Sequence, residues 1–136
     1  MDRWVVLFLV GAAAGCAPAA PAAGPEFDGK YSGQNTLLAG GGYLCGDLSH
    51  PETVMVTGGR FAYSFAVNPP RTVPIPVQIG ADGSVHGQLQ YGTDDYLPRS
   101  NYRNVWVIVA GSIADGSLRA MVTDNRCTRQ LTARRE

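Results

Sequence analysis

The chain has 136 residues, enough for one domain built around one hydrophobic core. Its 11 Lys and Arg side chains balance its 11 Asp and Glu side chains. No bulk positive charge therefore draws it to nucleic acid, and a nucleic-acid partner is not expected.

In chain order, the first element is a targeting segment. Arg3 precedes an apolar run from Trp4 to Ala14. The run is too short to cross a bilayer as a helix, which takes about 20 residues, and it has the length of a signal-peptide core. Small residues follow it and end at a cysteine: Ala13-Ala14-Gly15-Cys16. This stretch resembles the lipobox of bacterial lipoproteins, with Ala13 where the lipobox usually has Leu. The resemblance covers the first sixteen residues. It implies that residues 1–15 are removed as a signal peptide and that Cys16 is diacylated, anchoring the protein to a membrane. Ordinary cleavage after Ala12-Ala13-Ala14, or after Ala17-Pro18-Ala19, is the alternative, giving a soluble periplasmic or secreted form. Both routes take the mature protein out of the cytoplasm. In many Gram-negative lipoproteins an Asp after the lipid cysteine retains the protein at the inner membrane. Ala17 stands there instead, so the same resemblance implies an outer-membrane lipoprotein facing the periplasm. Residues 16–26 are rich in Ala and Pro. Prolines at this density block helix and favour a semi-rigid spacer, which leaves residues 27–136 as a single β domain.

With Cys16 lipidated, Cys45 and Cys127 remain. In an oxidising compartment two leftover cysteines pair as a disulfide, which sets the first strands of the domain beside the last. Neither a CxxC spacing nor nearby histidines favours a redox or metal site.

The domain reads as β throughout. Phe27 to Gln34 is a first strand and Tyr43 to Leu48 a weaker second. Val54 and Val56 lie in a strand over 52–57, and Gly58-Gly59 suits a two-residue hairpin turn. From Arg60 the chain alternates strictly, with Phe61, Tyr63, Phe65 and Val67 on one face. Val73, Ile75, Val77 and Ile79 alternate next, interrupted on the other face by Pro74 and Pro76. Two prolines in that register remove donors from one side of the strand, which marks an edge or an interrupted seam. Strands over 85–91, 104–113 and 117–123 follow, with turns at Asp82-Gly83 and Asp115-Gly116. The third of these hairpins opens with Val105 to Ala110, apolar on both faces, as in a central strand or one with a covered outer face. Cys127 to Ala133 is the last strand. About eight strands in sequential hairpins predict an all-β antiparallel meander, a small barrel or a two-layer sandwich, with one disulfide.

Chemistry-bearing residues are few. His86 shares the solvent face of its strand with Gln88 and Gln90. His50 and Glu52, two apart in a loop, lack the third ligand a metal site needs. No catalytic motif appears, and neither a cofactor nor a metal is expected. The arginines that crowd the end (Arg119, Arg126, Arg129, Arg134 and Arg135) read as a solvated final strand and frayed tail, or as a surface for anionic lipid headgroups or polyanionic envelope polymers. The longest insert runs from Gly92 to Arg103. Its Asp94, Asp95, Tyr96, Arg99, Tyr102 and Arg103 make it the candidate binding loop, because Tyr and Arg are enriched at recognition surfaces. A loop capping the end of the barrel is the equal alternative. The row Phe61, Tyr63 and Phe65 either packs as core or lines a ligand cavity of the lipocalin kind, the former being commoner in small barrels.

These readings converge on a non-enzymatic cell-envelope lipoprotein that binds a protein or small ligand. The second reading is an inhibitor of a lysozyme or protease, by likeness of architecture to small envelope inhibitors whose motifs this chain lacks. The third is a small enzyme using Asp94, Asp95 or His50.

Overall fold

The computed structural model describes residues 21–41, 45–68, 71–91 and 105–136. After a single 3-10 turn at Pro25–Phe27 come β1 (Gly29–Ala39), β2 (Ser49–Val56), β3 (Arg60–Asn68) and β4 (Arg71–Ile79). They are followed by β5 (Ser84–Tyr91), β6 (Val105–Ala114), β7 (Ser117–Thr123) and β8 (Thr128–Arg135). All eight form one antiparallel sheet in the order β2-β1-β8-β7-β6-β5-β4-β3. First and last strands are neighbours, with Tyr31 opposite Arg135 and Ala39 opposite Thr128. The sheet is a nearly closed barrel rather than a sandwich, stapled by the Cys45–Cys127 disulfide.

The order puts β2 and β3 at opposite edges of the sheet, yet they are consecutive in the chain. Gly58 and Gly59 join them with φ of 59° and 69°. Positive φ at both central residues is the requirement of a type I′ hairpin turn, which glycine meets without strain. Thr57 and Arg60 exchange both backbone hydrogen bonds across it, at 2.9 and 3.2 Å. Among the described residues the two strands pair no further. Backbone parity says which groups face the gap. Leu37 N–H donates to Leu48 O, so in the β1–β2 register the even-numbered residues of β2 bond to β1. Positions 51, 53 and 55 face the seam, and position 51 is Pro51, which has no N–H to give.

The same argument places the other two prolines. Ile79 N–H donates to Gly59 O, so Phe61, Tyr63 and Phe65 bond to β4, while positions 74 and 76 turn their nitrogens toward β5. Pairing of β4 with β3 runs from Arg60↔Gln78 to Asn68↔Arg71. With β5 it is confined to three positions, Val77↔Gly87, Gln78↔His86 and Ile79↔Val85. The prolines thus interrupt pairing as their spacing predicts. The break in the barrel nevertheless lies between β2 and β3, and β4 is not an edge.

The two ends of the barrel differ. At the end carrying the Gly58-Gly59 turn, the interior is filled by Tyr31, Val56, Phe61, Ile79, Val85, Ile113 and Leu118, all buried. The Tyr31 hydroxyl is satisfied by Phe27 O at 2.8 Å. Pro21 to Ala23, within the stretch whose composition reads as spacer, lie against this closed end. Ala23 N–H donates to Ile79 O and Ala81 N–H to Pro21 O. The chain terminus is held here too, with Glu136 N–H on Lys30 O and its carboxylate on Lys30 Nζ at 2.9 Å. The frayed tail expected from the arginine-rich end is therefore a paired one. The strand expected over Tyr43–Leu48 is not formed in its described part. Cys45 sits in a 3-10 turn and Gly46 and Asp47 are irregular, so His50-Pro51-Glu52 belongs to β2 and not to a loop. Among the described residues nothing covers the outer face of central strand β6, where Trp106 and Ile108 are exposed. His86 is exposed, as its alternation with Val85 and Gly87 requires.

Candidate functional site

At the opposite end of the barrel, open among the described residues, the inward-facing row changes character. On β8, Arg129 follows Cys127 and precedes Leu131 and Ala133 in the same inward phase, and all four are buried. On β1, Asn35 is in phase with Tyr31 and is 1 % exposed. An arginine and an asparagine inside a small barrel are costly unless every polar atom is paired.

The pairing is nearly complete. Arg129 Nε donates to Asn35 Oδ1 at 2.7 Å. Nη1 donates to the carbonyls of Cys45 and Asp47, both at 2.8 Å. Nη2 reaches Asn35 O at 3.3 Å and Asp47 Oδ1 at 3.5 Å. All five guanidinium donors thus point at protein acceptors. Gly46, with φ of 77°, lets the chain turn between the two carbonyls that share Nη1. Arg129 is a clasp for the 45–47 segment and has no donor left for an anionic ligand. The disulfide holds the same segment to the start of β8, with a Cα–Cα distance of 5.6 Å. The β7–β8 turn that presents Cys127 is set by Asp124, whose Oδ1 accepts from Arg126 N–H at 2.8 Å and Cys127 N–H at 2.6 Å.

Asn35 extends the network. Its Nδ2 donates to the Tyr63 hydroxyl at 2.6 Å and to Glu52 Oε2 at 3.3 Å. His50 stands between two carboxylates, Nδ1 on Asp47 Oδ1 at 2.7 Å and Nε2 on Glu52 Oε2 at 3.2 Å. A neutral imidazole donates through one nitrogen only, so both contacts are hydrogen bonds together when the ring is doubly protonated. Both ring nitrogens are occupied, and among the described residues no three His, Cys, Asp or Glu side chains form a metal-binding group. Burial pushes the Tyr63 phenol above its usual range against the opposing hydrogen bond from Asn35. That hydroxyl accepts from Asn35, and its own proton has no acceptor among the described residues.

Between this network and the open edge of β3 lies a pocket of about 400 Å³. Tyr63 and Phe65 wall it on the β3 side, with Ser64, Ala66 and Thr72 at its margin. Asn35, Asp47, His50, Arg129 and the disulfide line the rest. A largely apolar hollow with a few converging polar groups is the form ligand sites take. The aromatic row read from the sequence as core or cavity is both. Phe61 packs in the closed end, and Tyr63 and Phe65 border the hollow.

The proposed lipidation residue Cys16 lies outside the described residues, as do Asp94, Asp95, Tyr96, Arg99, Tyr102 and Arg103. The strands that the 92–104 segment joins, β5 and β6, end and begin at the open end of the barrel. Sequence reasoning placed Arg129 with the solvated arginines and gave Asn35 no role. For Arg129 the signal was present: Cys127, Arg129, Leu131 and Ala133 share one parity, so an inward Leu131 carries the arginine inward with it.

The hydrogen bond from His50 holds the Asp47 carboxyl below the usual aspartate range, aided by the charges of His50 and Arg129. A folded-state value below the unfolded one means that the unfolded chain binds more protons, so stability rises with pH through this window. The contribution is present above the ordinary range of about pH 4 and fades as pH falls through the lowered folded value. In acid denaturation, Asp47→Asn is therefore expected to differ from wild type at neutral pH and to approach it as pH falls below the ordinary aspartate range. A difference that stays constant from neutral pH into acid contradicts the assignment.

No protein-family model, curated protein or solved structure matches this chain.

Proposed function

We propose that this is a non-enzymatic, exported binding protein of the cell envelope, tethered by a lipid on Cys16, that takes its ligand at the open end of the barrel. The observation that carries the reading is the pocket: about 400 Å³, walled by Tyr63 and Phe65 and floored by the Arg129–Asn35 network. It lies at a site where the fold invests a buried guanidinium and a disulfide in one short segment. The tether suits this use. Pro21 to Ala23 lie at the closed end, so an anchor at Cys16 leaves the pocket facing away from the membrane.

Two experiments test the two halves of the proposal. Titrating the oxidised domain with phenylnaphthylamine, an apolar fluorescent probe, is expected to give saturable one-site binding. Ala66→Trp, at the pocket margin, is expected to weaken it at least about tenfold, or 1.4 kcal/mol, while Trp106→Ser on the outer wall leaves it unchanged. Non-saturable binding, or equal binding by Ala66→Trp, refutes the pocket. For the anchor, a fatty-acid analogue fed to the producing cells is expected to label wild type and not Cys16→Ala. Equal labelling of both rejects the lipid.

A further inference from the structure

A strand edge left open in a barrel is a hazard that proteins blunt with proline, charge or a bulge. The partial seam between β4 and β5 has lost donors to Pro74 and Pro76, and the seam-facing side of β2 has lost one to Pro51. The edge of β3 carries no such protection. From Phe61 to Val67 its sequence is Phe-Ala-Tyr-Ser-Phe-Ala-Val, with no charge, proline or glycine, and its pairing with β4 is regular as far as Ala66. Backbone parity turns the N–H and C=O groups of Ala62, Ser64 and Ala66 toward the seam. Among the described residues no strand pairs with them. Their side chains stand on the outer face of the sheet, out of the plane in which another backbone would pair. Immediately inside that edge lies the pocket bordered by Tyr63 and Phe65.

We propose that β3 takes an added strand here: an extended peptide segment of a partner protein, pairing with the backbone of Ala62, Ser64 and Ala66. Strand addition of this kind draws affinity from main-chain hydrogen bonds and specificity from pockets for alternate side chains. Every second residue of the guest faces inward, and one of these, apolar in character, fills the hollow beside Tyr63 and Phe65. A second copy of this chain does not meet that requirement through its own β3. On one face of that strand its side chains are Ala62, Ser64 and Ala66, too small to fill about 400 Å³, and on the other Phe61, Tyr63 and Phe65 are committed to its own interior. The inference rests on the open-end pocket being a binding site and adds the class of its ligand.

The test uses a displayed library of random dodecapeptides selected on the oxidised, full-length mature protein, with Ala66→Trp as counter-selection. Enriched peptides are expected to carry apolar residues at alternate positions. When each amide of a synthetic copy is N-methylated in turn, affinity is expected to fall at least tenfold at alternate positions and to hold at those between. Ala62→Pro deletes one seam-facing donor at an edge position where proline is tolerated and which lies outside the pocket lining. It is expected to weaken the peptide at least tenfold and to leave phenylnaphthylamine binding intact. The N-methyl scan uses wild-type protein and so stands even where Ala62→Pro misfolds. Phenylnaphthylamine binding without any peptide enrichment overturns the strand inference and spares the pocket. Enriched peptides that show no alternation in the scan overturn it as well. Self-association of the mature protein that Ala62→Pro abolishes, without peptide binding, assigns the edge to a second copy and likewise overturns the proposal.

Discussion

Replacing Arg129 with Met is expected to lower the unfolding free energy by about 2–5 kcal/mol. The loss comes from the acceptors left behind more than from the charge removed. Asn35 Oδ1 and the Cys45 carbonyl belong to buried residues and take their hydrogen bonds from Arg129 at 2.7 and 2.8 Å. Each buried acceptor left without a donor costs about 1–3 kcal/mol. The Asp47 carbonyl, on an exposed residue, regains water and adds less. Arg129→Lys is expected to recover only part of the loss, since an ammonium cannot reproduce the fork that serves a side chain and two carbonyls together. Adding Asn35→Leu to Arg129→Met removes the stranded amide, so the double variant should lose less than the sum of the singles. Urea unfolding of the oxidised proteins gives these values. A loss under about 1 kcal/mol for Arg129→Met, outside the range for a stranded buried acceptor, would show that water reaches the acceptors and that the clasp holds nothing.

Replacing Cys45 and Cys127 together with Ala is expected to cost about 2–5 kcal/mol, the usual loss on removing a disulfide from a small exported domain. The sequence separation is 82 residues, so the bond restrains most of the domain in the unfolded chain. Loop-closure entropy at that length is worth roughly 4.5 kcal/mol, with native strain and residual unfolded structure reducing it. The bond and the Arg129 clasp secure one segment, residues 45–47. Their removals should therefore couple, with the triple variant departing from additivity by more than the 0.3–0.5 kcal/mol or so typical of independent sites. Urea midpoints, together with a crosslinked Cys45–Cys127 peptide in non-reduced digests, check both statements. Free thiols at both positions in freshly isolated protein would remove the staple and its share of stability.

Much of the architecture is legible along the chain because β-structure writes itself with period two. Phe61, Tyr63 and Phe65 alternating with Ala62 and Ser64 declare a strand with one buried face. Gly58-Gly59 declares its turn, and the two cysteines declare that first and last strands meet. The prolines at 74 and 76 announce lost pairing from their spacing alone. These are local statements, each complete within a few residues. Three others depend on residues distant in sequence. The barrel opens between β2 and β3, and that Pro51 faces across that seam follows only from its register with β1. Strand β1 runs on to Ala39, past the stretch that alternates clearly, because β8 continues beside it as far as Thr128. Arg129 and Asn35, 94 residues apart, meet because β1 and β8 are paired and their inward phases coincide at the open end. Alternation along β8 puts the arginine inside, but only the arriving carbonyls of Cys45 and Asp47 and the side chain of Asn35 make that position tolerable. Composition treats an arginine near a terminus as solvated because desolvating it alone is prohibitive. The tertiary structure supplies five acceptors at once, and that reverses the sign of the expectation.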